Sequence, residues 1–330
     1  MNPRLACINR RQVLITLGAG AAVPAPVLAQ EAGTRGGVLR ILVGYPAGGG
    51  GDILVRGLAK RLAQVMPQTV IVDNKPGAGG TLAASMLASS PADGSTVYMT
   101  DSSILVAPAV YEKLGYEPQS LTPVLGVGQL VYCVVVHPSF PARSVAELIQ
   151  VLKAAPGKYS YASPGVGNLA HLGAEAFKHA AGVDMIHIPY KGGGPAITDL
   201  VGGQVPICFI SLPPAVAHAA SGKLRMLAVT TARRWEAVPE VPALAETLPG
   251  FEAVTNMFLV APPRTPGAVV ERLAAAFRSA LNDAELRQAY LALGASVDIR
   301  STEALASQIA AELRRWPEFV RSIGVRPGSS

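Results

Sequence analysis

The sequence predicts an α/β fold of two lobes joined by two extended crossings. Three observations carry that expectation. A strand, a glycine- or serine-bearing loop and a helix recur along the chain. The rhythm breaks at a long apolar stretch, "LTPVLGVGQLVYCVVV" over residues 121–136, and then restarts. A second strand-like stretch near 254–260 precedes a C-terminal portion that reads as helix. Repeated βα units imply parallel strands whose loops gather at their carboxyl ends, where ligands bind in such sheets. At 330 residues, half of them apolar and 15% charged, the chain is long enough for a large core and two such lobes.

Residues 1–29 read as an export signal rather than fold. Asn9-Arg10-Arg11 resembles a twin-arginine motif, and Val27-Leu28-Ala29 offers a small-residue cleavage site, so the signal is expected to be removed near Ala29. An ordinary secretory signal is the alternative, and either one exports the protein to the periplasm. The apolar part, residues 15–22, is too short to span a membrane. Loss of Arg4, Arg10 and Arg11 lowers the net charge from +6 to +3, with no basic run left. That excludes a nucleic-acid partner and leaves a weak attraction for anions. Cys7 leaves with the signal. Cys133 and Cys208 sit in apolar strand-like runs and read as buried free thiols in preference to a bridge.

Val38–Val43 reads as the first strand, with Asp52 as helix N-cap and Leu54, Leu58, Leu62 and Val65 at helical spacing. Residues 70–72 form the next strand, "NKPGAGGT" its loop and 82–88 its helix. Residues 96–99 follow a turn at Asp93-Gly94, and Asp101-Ser102-Ser103 can cap another helix. After the crossing, Ser144 with Glu147 three residues on marks a capped helix. Residues 159–161 lead to "ASPGVGN", and 185–188 lead to "PYKGGGP" and a helix opened by Pro195. Residues 205–210 and 224–229 are further strands, and helices are expected over 266–281, 284–293 and 302–323. The first lobe then comprises 38–125 with 260–330, the second 135–254, and the hinge crossings 124–136 and 254–260.

Two glycine-rich loops, "GGGGD" and "GAGGT", lie at strand-to-helix joints, and "SPGVGN" and "KGGGP" repeat the device in the second half. Glycine lets a backbone come close to a ligand, and helix starts present unpaired N–H groups to an anion. Singly each is no more than a turn; together they favour an anion site. A P-loop needs GK[ST], and the dinucleotide G-x-G-x-x-G must follow the first strand; neither occurs. No arginine lies in these loops. Amides and the side chains of Thr81, Ser102, Ser103, Ser163, Asn168 and Ser211 remain, and they suit a small carboxylate.

Catalytic constellations are missing. There is no G-x-S-x-G, and no CxxC or histidine cluster at metal-ligand spacing. His171 and Glu175 share a helix face, but a packing histidine is the better reading, and His187 reads as a half-buried strand residue. Asp52 is better explained as a cap than as a base. Lys191 either meets a ligand anion or stays in solvent. Trp235 and Trp316 read as packing residues. No cofactor, metal or catalytic residue is expected.

The stretches "YPAGGGGDILVRGLAKRL", "VDNKPGAGGTLAA", "YASPGVGNLAHLGAEAFKHAAGVDMIHIPYKGGGPAITDLVGGQV" and "GKLRMLAVTTARR" resemble the tripartite tricarboxylate transporter solute receptors, the Bug family. The resemblance covers roughly 38–325. It implies a type II periplasmic-binding fold with the ligand cleft between its lobes, a monomer that binds a small organic carboxylate and hands it to integral membrane transporter subunits. It also implies ligand-binding positions: Tyr45, Ala47, Gly48, Gly49 and Asp52 from the first loop, then Ser102 and Ser103. The second lobe contributes Ser163, Pro164, Gly165, Gly167, His171, Tyr190, Lys191 and Gly192; Ser211 joins the ligand-binding set from its own loop hydroxyl. Pro206 and Ile210-Ser211 stand where the family commonly has acidic or polar residues, which favours a carboxylate without a required amine. The rival readings are an exported α/β enzyme acting on a small anion, and a receptor used for sensing.

Overall fold

The computed structural model describes residues 37–325; the expected export signal, with Cys7, lies outside the described residues. β1 (Val38–Val43), β2 (Thr69–Asn74) and β3 (Thr96–Asp101) are parallel in the order β2-β1-β3. Each feeds a helix: α1 (Gly50–Val65), α2 (Thr81–Ala88) and α3 (Ser103–Val110). On α1, Leu54, Leu58 and Leu62 are buried while Arg56, Lys60 and Arg61 face outward, the stripe expected of a helix lying on a core. Met66 ends α1 in an extended conformation, as the residue before Pro67 must.

β4 (Thr122–Val136) is the long crossing. Its residues 122–131 pair with β9 (Val254–Ala261), which also pairs with β3. Its residues 132–136 pair with β7 (Ile207–Ser211) on one side, and 133–136 with β8 (Arg225–Val229) on the other. β5 (Ser160–Ser163) and β6 (Ile186–Pro189) extend β7 in parallel. The result is one nine-stranded sheet in which β4 runs through both strand sets. It is mixed rather than purely parallel, because β4, β8 and β9 run against their neighbours.

The second strand set carries α4 (Val145–Ala154), α5 (Leu169–Ala181), α6 (Gly193–Val201) and α7 (Leu212–Ala220); α8 (Gly267–Leu281), α9 (Ala284–Ala292) and α10 (Thr302–Ser322) close the chain. Ser144 caps α4 by accepting the Glu147 N–H, as the sequence predicts. Two helix starts differ from expectation. α6 begins at Gly193, so Pro195 is its third residue; that position still belongs to the turn whose N–H groups lack helical partners, and a proline costs no bond there. α1 begins at Gly50 with Gly49 as N-cap, so Asp52 is the third helical residue and not the cap.

One apolar cluster packs β1 and β4 against α1 and α8, and another packs β4 and β7 against α6 and α7. A third runs across both strand sets, from Leu42 and Tyr98 to Phe177, Phe209 and Trp316. Trp316 is thus core, as read. Cys133 and Cys208 are buried free thiols on adjoining strands.

Candidate functional site

The loop after β1 turns on Gly48, whose φ of +80° needs glycine. Asp52, 2% exposed, braces that turn from behind. Its Oδ2 accepts the Gly48 N–H and the Arg56 guanidinium, each at 3.0 Å, and its Oδ1 accepts Asn74 Nδ2 at 2.8 Å. Burial opposes its charge, but these bonds from Arg56, Asn74 and Gly48 hold its carboxyl below the usual range. The same Asn74 amide donates to the Tyr45 carbonyl at 2.9 Å. All of this leaves the amides at the start of α1 free of a side-chain cap.

The loop after β5 is braced differently. The Gly167 N–H donates to His171 Nδ1 at 3.3 Å, and Ser163 Oγ, 2.7 Å from His187 Nε2, accepts the Gly165 N–H at 3.3 Å. The two imidazoles stack at 4.2 Å, and Tyr161 stacks on His187 at 4.9 Å. Burial pushes the histidines down, His171 to about 4 and His187 to about 3. Both rings are therefore neutral near pH 7, which His171 needs in order to accept a hydrogen bond.

The loops of the two halves meet. Tyr111 Oη donates to the Val166 carbonyl at 2.7 Å, and Asn168 Nδ2 donates to Tyr45 Oη at 2.8 Å. A Cβ on Gly192, where φ is +133°, would stand only 2.2 Å from Pro46 Cδ, and one on Gly194 would stand 3.1 Å from the Ala47 carbonyl. One on Gly50 would overlap Ser211 Oγ. Several glycines that the sequence assigns to ligand approach thus serve the approach of one half to the other.

Two cavities lie between the halves. The larger, about 260 Å³, is walled by Tyr45, residues 77–79, Tyr111, residues 164–166 and Tyr190, with the exposed Lys191 at its edge. The smaller, about 30 Å³, is walled by residues 49–51, Asp101, Tyr132, Asn168, Gly193 and Ser211. Tyr45 and Pro164 line both. Around the smaller one stand the starts of four helices, α1, α5, α6 and α7. Each helix start carries partial positive charge, so an anion is attracted there without a basic side chain.

Of the expected site residues, Tyr45, Gly49, Pro164, Gly165, Tyr190, Lys191 and Ser211 reach a cavity wall. Gly192 lies against Pro46, and Ala47 and Gly48 are exposed on the rim. Asp52, Ser163, Gly167 and His171 stand behind the loops and act on their shape. Ser102 and Ser103 are buried under the site, and neither hydroxyl makes a hydrogen bond among the described residues. The sequence does not single out Tyr111, Tyr132 or Asp101 as site residues. Asp101 stood out only as a cap, and its Oδ1 does accept the Ser103 N–H at 2.8 Å. Its place at the carboxyl end of a strand was the available signal. No group of three metal-ligating side chains occurs among the described residues.

Residues 54–325 match the model of the tripartite tricarboxylate transporter family receptor. The chain is 33% identical over 326 residues to protein BugT of Bordetella pertussis, covering 97% of this chain and 99% of BugT. It is similar in structure to Rpa4515 of R. palustris with adipate, at a TM-score of 0.85 and 32% identity over 88% of this chain and 98% of that one. It is likewise similar to the periplasmic binding protein BugD, at a TM-score of 0.85 and 30% identity over 88% and 99% of the two chains.

Proposed function

The chain belongs to the tripartite tricarboxylate transporter receptor family, and we propose that it captures a small organic carboxylate between two lobes without chemical change. We take the lobes as 38–125 with 260–330 and as 135–254, hinged at 124–136 and 254–260. The carrying observation is a pair of voids walled by glycine-rich loops of both halves, the larger one edged by Lys191. A similar protein was solved with adipate. The protein acts in the periplasm, and its loaded form delivers the ligand to integral membrane transporter subunits. No helix among the described residues is long and apolar enough to cross a membrane.

An enzymatic reading has one observation to answer: Ser163 Oγ lies 2.7 Å from His187 Nε2, the spacing of a nucleophile and its base. Ser163 is fully buried, and burial holds His187 near 3. A base poised for neutral pH needs a value near 7, and a nucleophile must reach its substrate. The pair is better read as bracing.

Native mass spectrometry of the freshly purified protein, followed by a thermal-shift series with mono- and dicarboxylates including adipate, tests the receptor reading. A co-purifying organic acid, or one that raises the melting temperature, is expected. If no carboxylate does either, the receptor reading fails. Capture of membrane transporter subunits by the loaded form, against capture of a sensor protein, separates transport from sensing.

A further inference from the structure

Asp101 ends β3 on the wall of the smaller cavity, 7% exposed. No lysine, arginine or histidine lines that cavity, and Asp101 makes no ion pair among the described residues. Burial raises its carboxyl, and the charge of Glu312 adds to this; Ser103 and Tyr45 beside it favour the ionised form but do not outweigh burial. Buried carboxylates ordinarily have a positive partner. This one lacks it on the side that faces the void. The buried hydroxyl of Ser102 next to it, which has no hydrogen-bond partner among the described residues, is an independent sign of a site incomplete by itself.

We propose that Asp101 determines specificity: the site takes a carboxylate that also bears an ammonium group, and Asp101 receives that ammonium. This rests on the receptor reading above and reverses the expectation drawn from Pro206 and Ile210-Ser211. The void of about 30 Å³ has room for one or two water-sized groups, and an ammonium is of that size. A ligand carboxylate placed there would set two anions side by side, which disfavours the ionisation of both. Asp101 itself occupies the field of the four helix starts, so what enters beside it must donate. The ligand's carboxylate and carbon chain then lie in the larger cavity, toward Lys191 and the backbone of Gly77, Ala78 and Gly79.

The test is isothermal titration of the purified full chain with matched acids that differ in one substituent. Succinate, malate and aspartate form one series, glutarate, 2-hydroxyglutarate and glutamate a second, and adipate, 2-hydroxyadipate and 2-aminoadipate a third. In the series that binds, the amino member is expected to be tightest by roughly thirtyfold or more over the unsubstituted acid, the size of a lost buried charge pair. Asp101→Asn, and independently Asp101→Ser, should bring the amino acid down to the level of its plain counterpart, with each variant's melting curve confirming its fold. If plain or hydroxy acids bind as tightly as the amino acid, or the preference survives in a folded variant, this inference falls while the receptor reading stands. If no member of any series binds, both fall together.

Discussion

The loops after β1 and after β5 do the same work on opposite sides of the cleft, and they are held by opposite electrostatics. The first is braced by an ionised carboxylate, Asp52, tied to Arg56, Asn74 and the Gly48 amide. The second is braced by two stacked imidazoles that must be neutral, His171 on the Gly167 amide and His187 on Ser163. A charged brace is strong but needs its partners arranged around it, and Arg56 sits one helical turn away on the same helix. A neutral brace can be buried against aromatic rings with no counterion, as Tyr161 buries His187. Each brace has a local part and a distant one: Gly48 and Arg56 lie four residues from Asp52 and Gly167 four from His171, whereas Asn74 is 22 residues from Asp52 and His187 is 24 from Ser163.

The largest effect on ligand binding should come from breaking the meeting of the loops rather than either brace. In Gly192→Val the side chain must displace the Pro46 ring, at a φ of +133° that valine resists. The halves cannot then close. Titration with whichever carboxylate binds the parent is expected to show a loss of about a hundredfold or more, near 2.7 kcal/mol. Unchanged affinity would remove the Gly192–Pro46 contact from the closed, binding form.

The braces themselves should fail in separate pH windows. His171 and His187 lie below their ordinary value of 6.5 when folded, at about 4 and about 3. As pH falls below 6.5 the unfolded chain takes up protons that the folded chain refuses, so their contribution is complete above 6.5 and is lost on the way down to about 4 for His171 and about 3 for His187. For His171 alone the interval is worth about 3 kcal/mol. His171→Phe keeps the ring and the stack but cannot titrate. Urea denaturation at a series of pH values should show a shallower loss of stability between 6.5 and 4 in this variant. An identical slope would mean that the imidazole is not buried as described.

Asp52 should act lower and more weakly. Its folded carboxyl lies below the usual range, so its contribution is present above about 4 and is lost as pH falls further. Asp52→Asn keeps the shape and removes the charge. A loss of about 1–2 kcal/mol is expected at pH 7, the cost of weakening charge-assisted bonds, and little at pH 3. Comparable loss at both pH values would show that shape and not charge carries the brace.

The same division explains what could be read in advance. The βα rhythm, the long apolar stretch at 121–136 and the glycine loops are local patterns, and each appears in the fold near its expected place. Tyr45, Pro164, Gly165 and Tyr190 reached the cavities because they sit at strand ends, where the fold class puts a site. Asp52 drew attention but stands one turn deeper than a cap, since Gly49 can begin the helix without a side chain. Tyr111 and Tyr132 carry no motif; they matter through partners far along the chain, Val166 across the cleft and β7 across the sheet. Asp101 is hidden by its own local explanation, a bond to the Ser103 amide.

The smallest expected effect is the sharpest check on what the glycines are for. A Cβ at Gly49 would meet the Pro46 carbonyl at 3.4 Å, Tyr45 Cβ at 3.9 Å and the Gly193 nitrogen at 4.0 Å, all ordinary contacts. Its φ of −74° suits any residue, and the N-cap loses no side-chain bond, since glycine makes none. Gly49→Ala should therefore change stability by no more than about 0.5 kcal/mol and ligand affinity only a few-fold. If the glycine run existed to admit a ligand against its backbone, alanine at 49 would cost as much as valine at 192. A near-silent Gly49→Ala beside a disabling Gly192→Val would instead assign the tightest packing of the cleft to the contact between its two walls. A ligand would then be gripped by amides and helix starts that closure brings together, and the free energy of that closure would set the affinity.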